Sequence, residues 1–308
     1  MIVVCGEALV DLVPRPGDGL HVARPGGSPA NVAVGLGRLG LDVCLLTRLA
    51  DDHFGRLIRR HLACAGVDLS LAVSTPRRCT VAMVNLRPGG DAAYDFFIAG
   101  GADDGWRPQA LPAALPDGAL HVSGSLALAW ASMGDTVEAL LDRERGRRVI
   151  SLDPNPRPAL ATDQAALRAR LAGWVGRADL VKVSEEDLAW THPGQRIADV
   201  ARHWRGLGPA LVVVTRAADG VYALGPAGEI ELAAPRVAAV DTVGAGDAFT
   251  AGLLAALHRA GRLTPAGLRS LPVAGLVEAL AYAQRVAALT CTRVGADPPW
   301  RHEVEPRP

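Results

Sequence analysis

The residues best placed to do chemistry lie in "DTVGAGDAFTAG", residues 241–252. Gly244, Ala245 and Gly246 stand immediately before Asp247, and an apolar run with helical character follows. A helix N-terminus presents unpaired N–H groups and a partial positive charge, so it attracts anions. Phosphate oxygens approach those groups only where side chains are absent, which is what a Gly-Ala-Gly run supplies. A carboxylate at Asp247, beside a transferring phosphoryl group, could accept the proton of an attacking hydroxyl. A plainer reading stays open, in which Asp247 caps a helix and the glycines make a turn.

A second stretch, "RPGGSPANVAVGLGRLG" (24–40), carries a different kind of signal. Gly26-Gly27 lets backbone approach a ligand or hinge a flap. Ser28 and Pro29 are good helix-start residues. Asn31 in the first turn both donates and accepts hydrogen bonds, as a sugar's vicinal hydroxyls require, although a surface helix residue would read the same way. Gly35, Gly37 and Gly40 spell G-x-G-x-x-G, but a dinucleotide fingerprint follows a strand and opens a helix. Here the glycines fall inside a segment already helical from about Pro29, which predicts close packing of that helix on a sheet, with Gly40 ending it.

These stretches need elements to position them. Apolar, β-rich runs occur at 2–5, 43–49, 119–124, 148–153, 179–183 and 210–215, most of them apolar throughout, as strands buried on both faces are. Helix-period segments occur at 29–39, 53–65, 132–145, 163–174, 197–205, 246–260 and 273–290. The alternation predicts an α/β fold: a doubly wound, mostly parallel sheet between two helical layers. Residues 8–24 and 72–98 break the rhythm with alternating polar and apolar runs, which suits a small β-sheet lid built from two insertions. The Pro-rich stretches 154–158 and 297–308 read as loop or tail.

Composition narrows the function. In 308 residues Lys+Arg and Asp+Glu are both 32, so no net charge points to nucleic acid or a membrane surface. Five widely spaced cysteines without C-x-x-C suggest reduced thiols and a cytoplasmic setting, with Cys5 a small core residue. Glu7 and Asp11 stand close to the start without a basic segment, unlike a signal peptide, and no apolar run reaches the length of a membrane span.

Taken together, G-G-x-P-x-N-x-A at 26–33 and D-T-x-G-A-G-D at 241–247 resemble the two signatures of the PfkB, or ribokinase-like, family of carbohydrate kinases. The resemblance extends over nearly the whole chain. "CGEALVDLVP", "LHVSGSLAL" and "DPNPRPAL" look most like its fructokinase branch. It implies a single kinase domain of three αβα layers with a lid over the sugar. It implies Asp247 as catalytic base, and Gly244, Ala245 and Gly246 as the anion hole. Asp11, Gly26, Gly27, Asn31, Asn155 and Arg157 then line the sugar site. Lys182, Ser184, Thr215 and Gly220 fall on the nucleotide side. Asp241 and Thr242 match positions that support a monovalent cation, with K⁺ expected, and Glu186 or Asp187 would hold water around Mg²⁺.

Three departures stand out. Ser184-Glu185-Glu186-Asp187 replaces the family's N-x-x-E, and Ala50 and Ala217 stand where relatives usually carry glycine. The implied reaction is transfer of the γ-phosphoryl of ATP to a primary sugar hydroxyl, fructose giving fructose 6-phosphate. Alternatives are another sugar or sugar acid, such as ribose or 2-keto-3-deoxygluconate, or a non-catalytic sugar-binding relative. The resemblance further implies a homodimer through the lids, with Phe96, Phe97 and Val84 as candidates for its apolar surface, and packing within the lid as the alternative.

Overall fold

A computed structural model describes residues 1–15, 17, 19–86 and 92–305. The chain opens with β1 (Ile2–Cys5), β2 (Leu9–Pro14), β3 (His21–Gly26), α1 (Ser28–Arg38), β4 (Val43–Leu46), β5 (Arg48–Ala50) and α2 (His53–Cys64). Next come β6 (Val73–Thr75), β7 (Val81–Leu86), β8 (Ala92–Phe97), β9 (Ala119–Ser123), α3 (Ser125–Ala129), α4 (Ala131–Glu144), β10 (Ile150–Asp153) and α5 (Gln164–Val175). Then follow β11 (Leu180–Ser184), α6 (Glu185–Thr191), α7 (Ile197–Leu207), β12 (Leu211–Thr215), β13 (Val221–Gly225) and β14 (Gly228–Leu232). The last helices are α8 (Ala245–Arg259), α9 (Pro265–Arg269), α10 (Val273–Cys291) and α11 (Arg301–Val304).

The main sheet has eight strands in the order β14-β13-β12-β11-β10-β9-β1-β4. It is parallel except for β13 and β14. Its strands are apolar on both faces because both are covered. Ile2 and Val4 of β1 join a core shared with α1, α8 and α10, whereas Val3 and Cys5 join the core under α4, α5 and α7. After β1 the chain first adds β4 on one side and later β9 on the other. This reversal is the switch point at which open α/β sheets bind ligands, beyond the strands' C-terminal ends.

A separate four-stranded sheet, β3-β2-β7-β8, forms the lid. Pairing aligns Asp11 with Arg24 and Ala82 with Phe96, and joins β2 to β7 in parallel. Positions 16, 18 and 87–91 of the two expected lid stretches lie outside the described residues, as do 306–308 of the expected tail.

Several expectations are corrected. The run 43–49 is two strands, because β5 leaves the main sheet to pair with β6, which is therefore not part of the lid. The hairpin β13–β14 was not foreseen. Pro226-Ala227 joins its strands, and Gly225 pairs with Gly228. The glycines of α1 serve helix packing besides sheet packing: a Cβ at Gly35 would lie 2.7 Å from that of Ala251 on α8, and one at Gly37 would lie 2.1 Å from the Ala65 carbonyl and 3.6 Å from Val43 on β4. Gly40 does close the helix region, with φ of 79°. Residues 297–305 are no loose tail. Arg38 pairs with Asp297 and lies over the Trp300 ring, and Arg293 pairs with Glu303.

Candidate active site

At the switch point the lid closes over a cavity of about 130 Å³, walled by Glu7, Asp11, Asn31, Tyr94, Phe96, Arg157 and Asp247, among others. Tyr94 and Phe96 alternate inward from β8, their rings stacked 5.9 Å apart. Asp11 projects from β2 with its carboxylate over Gly26, the diagonal neighbour on β3, where a Cβ would sit 2.0 Å from its Oδ2. Gly26 is bare because the carboxylate occupies the space. Burial pushes the Asp11 carboxyl up to about 6, the Arg157 guanidinium opposes that rise, and the Asp247 charge adds to it. Gly27 has φ of 98° and a Cβ there would lie 2.9 Å from the Glu7 carbonyl, so only glycine makes the turn from β3 into α1.

Asp247 stands at the third position of α8. The helix is capped by Gly244, in the left-handed region at φ of 76° with no side-chain cap. The capping reading of Asp247 therefore does not hold. Its carboxylate instead accepts from Ser28 Oγ at 2.7 Å and from Asn31 Nδ2 at 2.8 Å. Burial raises its carboxyl above the usual range, and those two donors pull it back. The Ala245 N–H closes a turn onto the Thr242 carbonyl, so the anion-attracting donors are those of Gly246 and Asp247, which have no acceptor within the helix. Bareness here also serves packing: a Cβ at Gly244 would lie 2.5 Å from that of Ala296, and one at Gly246 3.0 Å from Lys182 Nζ.

Below Gly246, Lys182 of β11 and Asp153 of β10 form a buried ion pair at 2.9 Å, joined by the Thr250 hydroxyl at 3.3 Å. Burial works against the ammonium, but the charge and hydrogen bond of Asp153, with the charges of Asp247 and Asp187, together outweigh it and hold Lys182 above its ordinary value. Asp153 Oδ1 is buried with no hydrogen-bond partner. Asp187, its carboxyl raised by burial, faces both members of the pair, whereas Glu186 is exposed on the first turn of α6. Ser184 caps that helix by accepting from the Asp187 N–H.

Among the described residues no group of three or more His, Cys, Asp or Glu side chains is arranged to hold a metal ion. A nucleotide-bound Mg²⁺ keeps several waters and needs only one or two carboxylates. The unpartnered Asp153 oxygen and Asp187 are hard donors that fit it.

The remaining candidates divide. Arg157 reaches the cavity; Asn155 is not among its lining residues and takes a left-handed φ of 39° in the turn after β10. Thr215 ends β12, its hydroxyl 3.4 Å from the Val183 carbonyl. Gly220, at φ of 93°, makes the turn into β13, where a Cβ would strike the Leu232 carbonyl at 2.0 Å. Ala217 sits at φ of 47°, which explains why glycine suits that position better, while Ala50 ends an ordinary strand. The Asp241 carboxylate accepts from the Val243 and Gly295 N–H groups, tying the loop before α8 to the chain after α10, and Thr242 is exposed.

Glu7, Ser28 and Tyr94 are among the site residues that escaped the sequence reading. Glu7 is 1% exposed, lines the cavity, and has Oε2 unpartnered; burial pushes its carboxyl up to about 7 despite hydrogen bonding from Ser125. Its place just beyond an apolar strand, four residues before Asp11, was the available signal. Ser28 looked like a helix start, and nothing local marks its contact with Asp247. Of the lid residues expected to form a contact surface, Phe97 is 61% exposed, Val84 is buried and Phe96 faces the cavity.

Comparison with known proteins matches residues 1–303 to the model of the pfkB family carbohydrate kinases. A fructokinase of Rhizobium leguminosarum bv. trifolii is 40% identical over 280 residues, covering 88% of this chain and 84% of that one. Fructokinase from Xylella fastidiosa, solved with bound ATP, superposes with a TM-score of 0.90 at 28% identity, covering 99% and 96% of the two chains. Aminoimidazole riboside kinase from Salmonella enterica, complexed with aminoimidazole riboside and an ATP analog, gives 0.83 at 29% identity, covering 99% and 98%.

Proposed function

The chain belongs to the pfkB family of carbohydrate kinases, and from that premise we propose that it is a fructokinase, moving the γ-phosphoryl of ATP to a primary hydroxyl of fructose. The observation that carries this reading is the double membership of Asp247. It lies in the wall of a cavity lined by hydroxyl-binding side chains, and it lies on the first turn of the helix whose free N–H groups attract phosphate. In the reaction the sugar O–H bond breaks and its proton passes to Asp247. The sugar oxygen bonds to phosphorus, and the bond to the bridging oxygen breaks with its electron pair leaving on ADP. The Gly246 and Asp247 N–H groups stabilise charge on the moving phosphoryl group, with the Lys182 ammonium beneath them. Asp153 and Asp187 are the residues that would hold Mg²⁺, which would neutralise charge on the nucleotide phosphates.

Charge favours a neutral sugar over a sugar acid. Glu7, Asp11 and Asp247 line the cavity against the single guanidinium of Arg157 among its lining residues, so a substrate carboxylate would meet a net negative wall. An ATP-coupled assay over fructose, ribose, aminoimidazole riboside and 2-keto-3-deoxygluconate tests this. Fructose should give the highest kcat/KM and 2-keto-3-deoxygluconate the lowest. Turnover of none of them would remove the kinase reading in favour of a non-catalytic sugar-binding relative.

Supporting features complete the proposal. A monovalent cation, K⁺, belongs beside Asp241 and Thr242, where oxygen ligands suit it. The chain acts as one kinase domain whose lid, built from the strand pairs β2–β3 and β7–β8, closes on the sugar about Gly26-Gly27. A homodimer through the lids is supported by the open edges of β3 and β8 and by Val22, 41% exposed on the same lid face as Asp11. A cytoplasmic setting accords with five free cysteines. No helix among the described residues is long and apolar enough to cross a membrane.

A further inference from the structure

Both oxygens of the Asp247 carboxylate are held by one turn of a helix more than two hundred residues earlier in the chain. Ser28 Oγ donates to Oδ1, and Asn31 Nδ2 donates to Oδ2. We propose that Ser28 is a positioning residue for the base: its hydroxyl, paired with the Asn31 amide, fixes the carboxylate plane and keeps it ionised, so that the lid strand β3 sets the aim of the base. The proposal rests on Asp247 accepting the sugar proton.

The geometry is over-determined. Ser28 is 5% exposed and opens α1, with Pro29 fixing the next φ. Behind it Gly27 holds its turn against the Glu7 carbonyl, and Gly26 lies under Asp11. The serine hydroxyl is thus tied by two peptide units to the strand that carries the sugar-site carboxylate's neighbour. One donor on each oxygen stops rotation of the carboxylate. Each oxygen keeps a second acceptor site, so a sugar hydroxyl can still donate to it. Donors of this kind favour the ionised form, which is the form a base requires.

The other groups facing Asp247 do not give it this control. Asp153 from β10 opposes its ionisation and Lys182 from β11 favours it, but those two are committed to each other. Asp11 from β2 and Tyr94 from β8 also face it across the cavity, and the Asp11 charge opposes ionisation as well. Of the described side chains that donate a hydrogen bond to Asp247, Ser28 and Asn31 are the two, and Asn31 is also placed for the sugar. Ser28 also lines the cavity, so the fructose Kd is measured beside the pH profile, to tell a change in the base from a lost contact with the sugar.

The full-length Ser28→Ala and Ser28→Thr variants test the inference through the pH dependence of fructose phosphorylation, with Asp247→Asn as reference. Ser28→Ala should move the acid limb of the kcat/KM profile up by about one pH unit and lower kcat near pH 6 by about tenfold, with the fructose Kd changed less than about threefold. Ser28→Thr, which keeps the hydroxyl, should restore the wild-type limb. An unmoved limb in Ser28→Ala beside an inactive Asp247→Asn would overturn the role of Ser28 alone, even if the variant melts at a lower temperature. An active Asp247→Asn would instead overturn the assignment of the base, and this inference with it.

Discussion

The Lys182 ammonium and the Asp153 carboxylate lie 2.9 Å apart on adjacent strands, with side chains only 5% and 2% exposed, directly beneath the bare backbone of Gly246. A buried pair stabilises little relative to an apolar core, but breaking it leaves one charge unpaired. Lys182→Met should therefore destabilise the chain by about 3–5 kcal/mol. Adding Asp153→Asn should recover much of that loss in denaturant titrations without recovering turnover. Full activity in the double variant would show that the pair serves folding only.

Asp247→Asn preserves shape and removes basicity. We expect sugar binding to stay within a few-fold while kcat falls at least about 10²-fold, the lower range for a lost general base. Steady-state kinetics beside calorimetric binding of fructose separate the two, and a near-normal kcat would refute the role.

Gly26→Ala places a methyl group 2.0 Å from Asp11 Oδ2 and must displace that carboxylate. The fructose KM should rise about tenfold, with the ATP KM unchanged, as for an interaction shared by ground and transition states. An equal rise in both KM values would locate the damage in the whole lid and not in Asp11.

Asp103 is 0% exposed and neither of its carboxyl oxygens has a hydrogen-bond partner; burial pushes its carboxyl up to about 7, and the charge of Arg48 opposes that rise. The folded chain binds this proton more tightly than the unfolded chain. The stabilisation is fully present below about pH 4, the unfolded value, and is lost as pH rises through about 7. Asp103→Asn should thus raise Tm at pH 8 by a few °C, on the order expected for 1–2 kcal/mol, and raise it less at pH 5. A gain independent of pH between 5 and 8 would assign the effect to packing instead of ionisation.

The sequence by itself determined whatever is local. Apolar runs such as "LVVVT" at 211–215 marked strands buried on both faces, and "GAGDAF" marked a helix start free of side chains. Alternation in "AAYDFF" put Tyr94 and Phe96 on one face of the lid, although not which face met the cavity. The hairpin β13–β14 was not legible in the same way, since its two-residue link Pro226-Ala227 is not the Asn-Gly or Gly-x pair that marks such a turn.

Only the tertiary structure decided which of these pieces meet. Ser28 reaches Asp247 across 219 positions, and Thr250 reaches Asp153 across 97. No spacing along the chain encodes such contacts; they follow from α1 packing on α8 through Gly35 and Ala251, and from the order of strands in the sheet. The same holds for the choice of Asp187 over Glu186. Both are acidic residues at the start of one helix, and the 100° turn between neighbours directs one toward Lys182 and the other into water. Glu7 entered the site because the switch between β4 and β9 opens a crevice at its strand's end, a consequence of topology that composition cannot express.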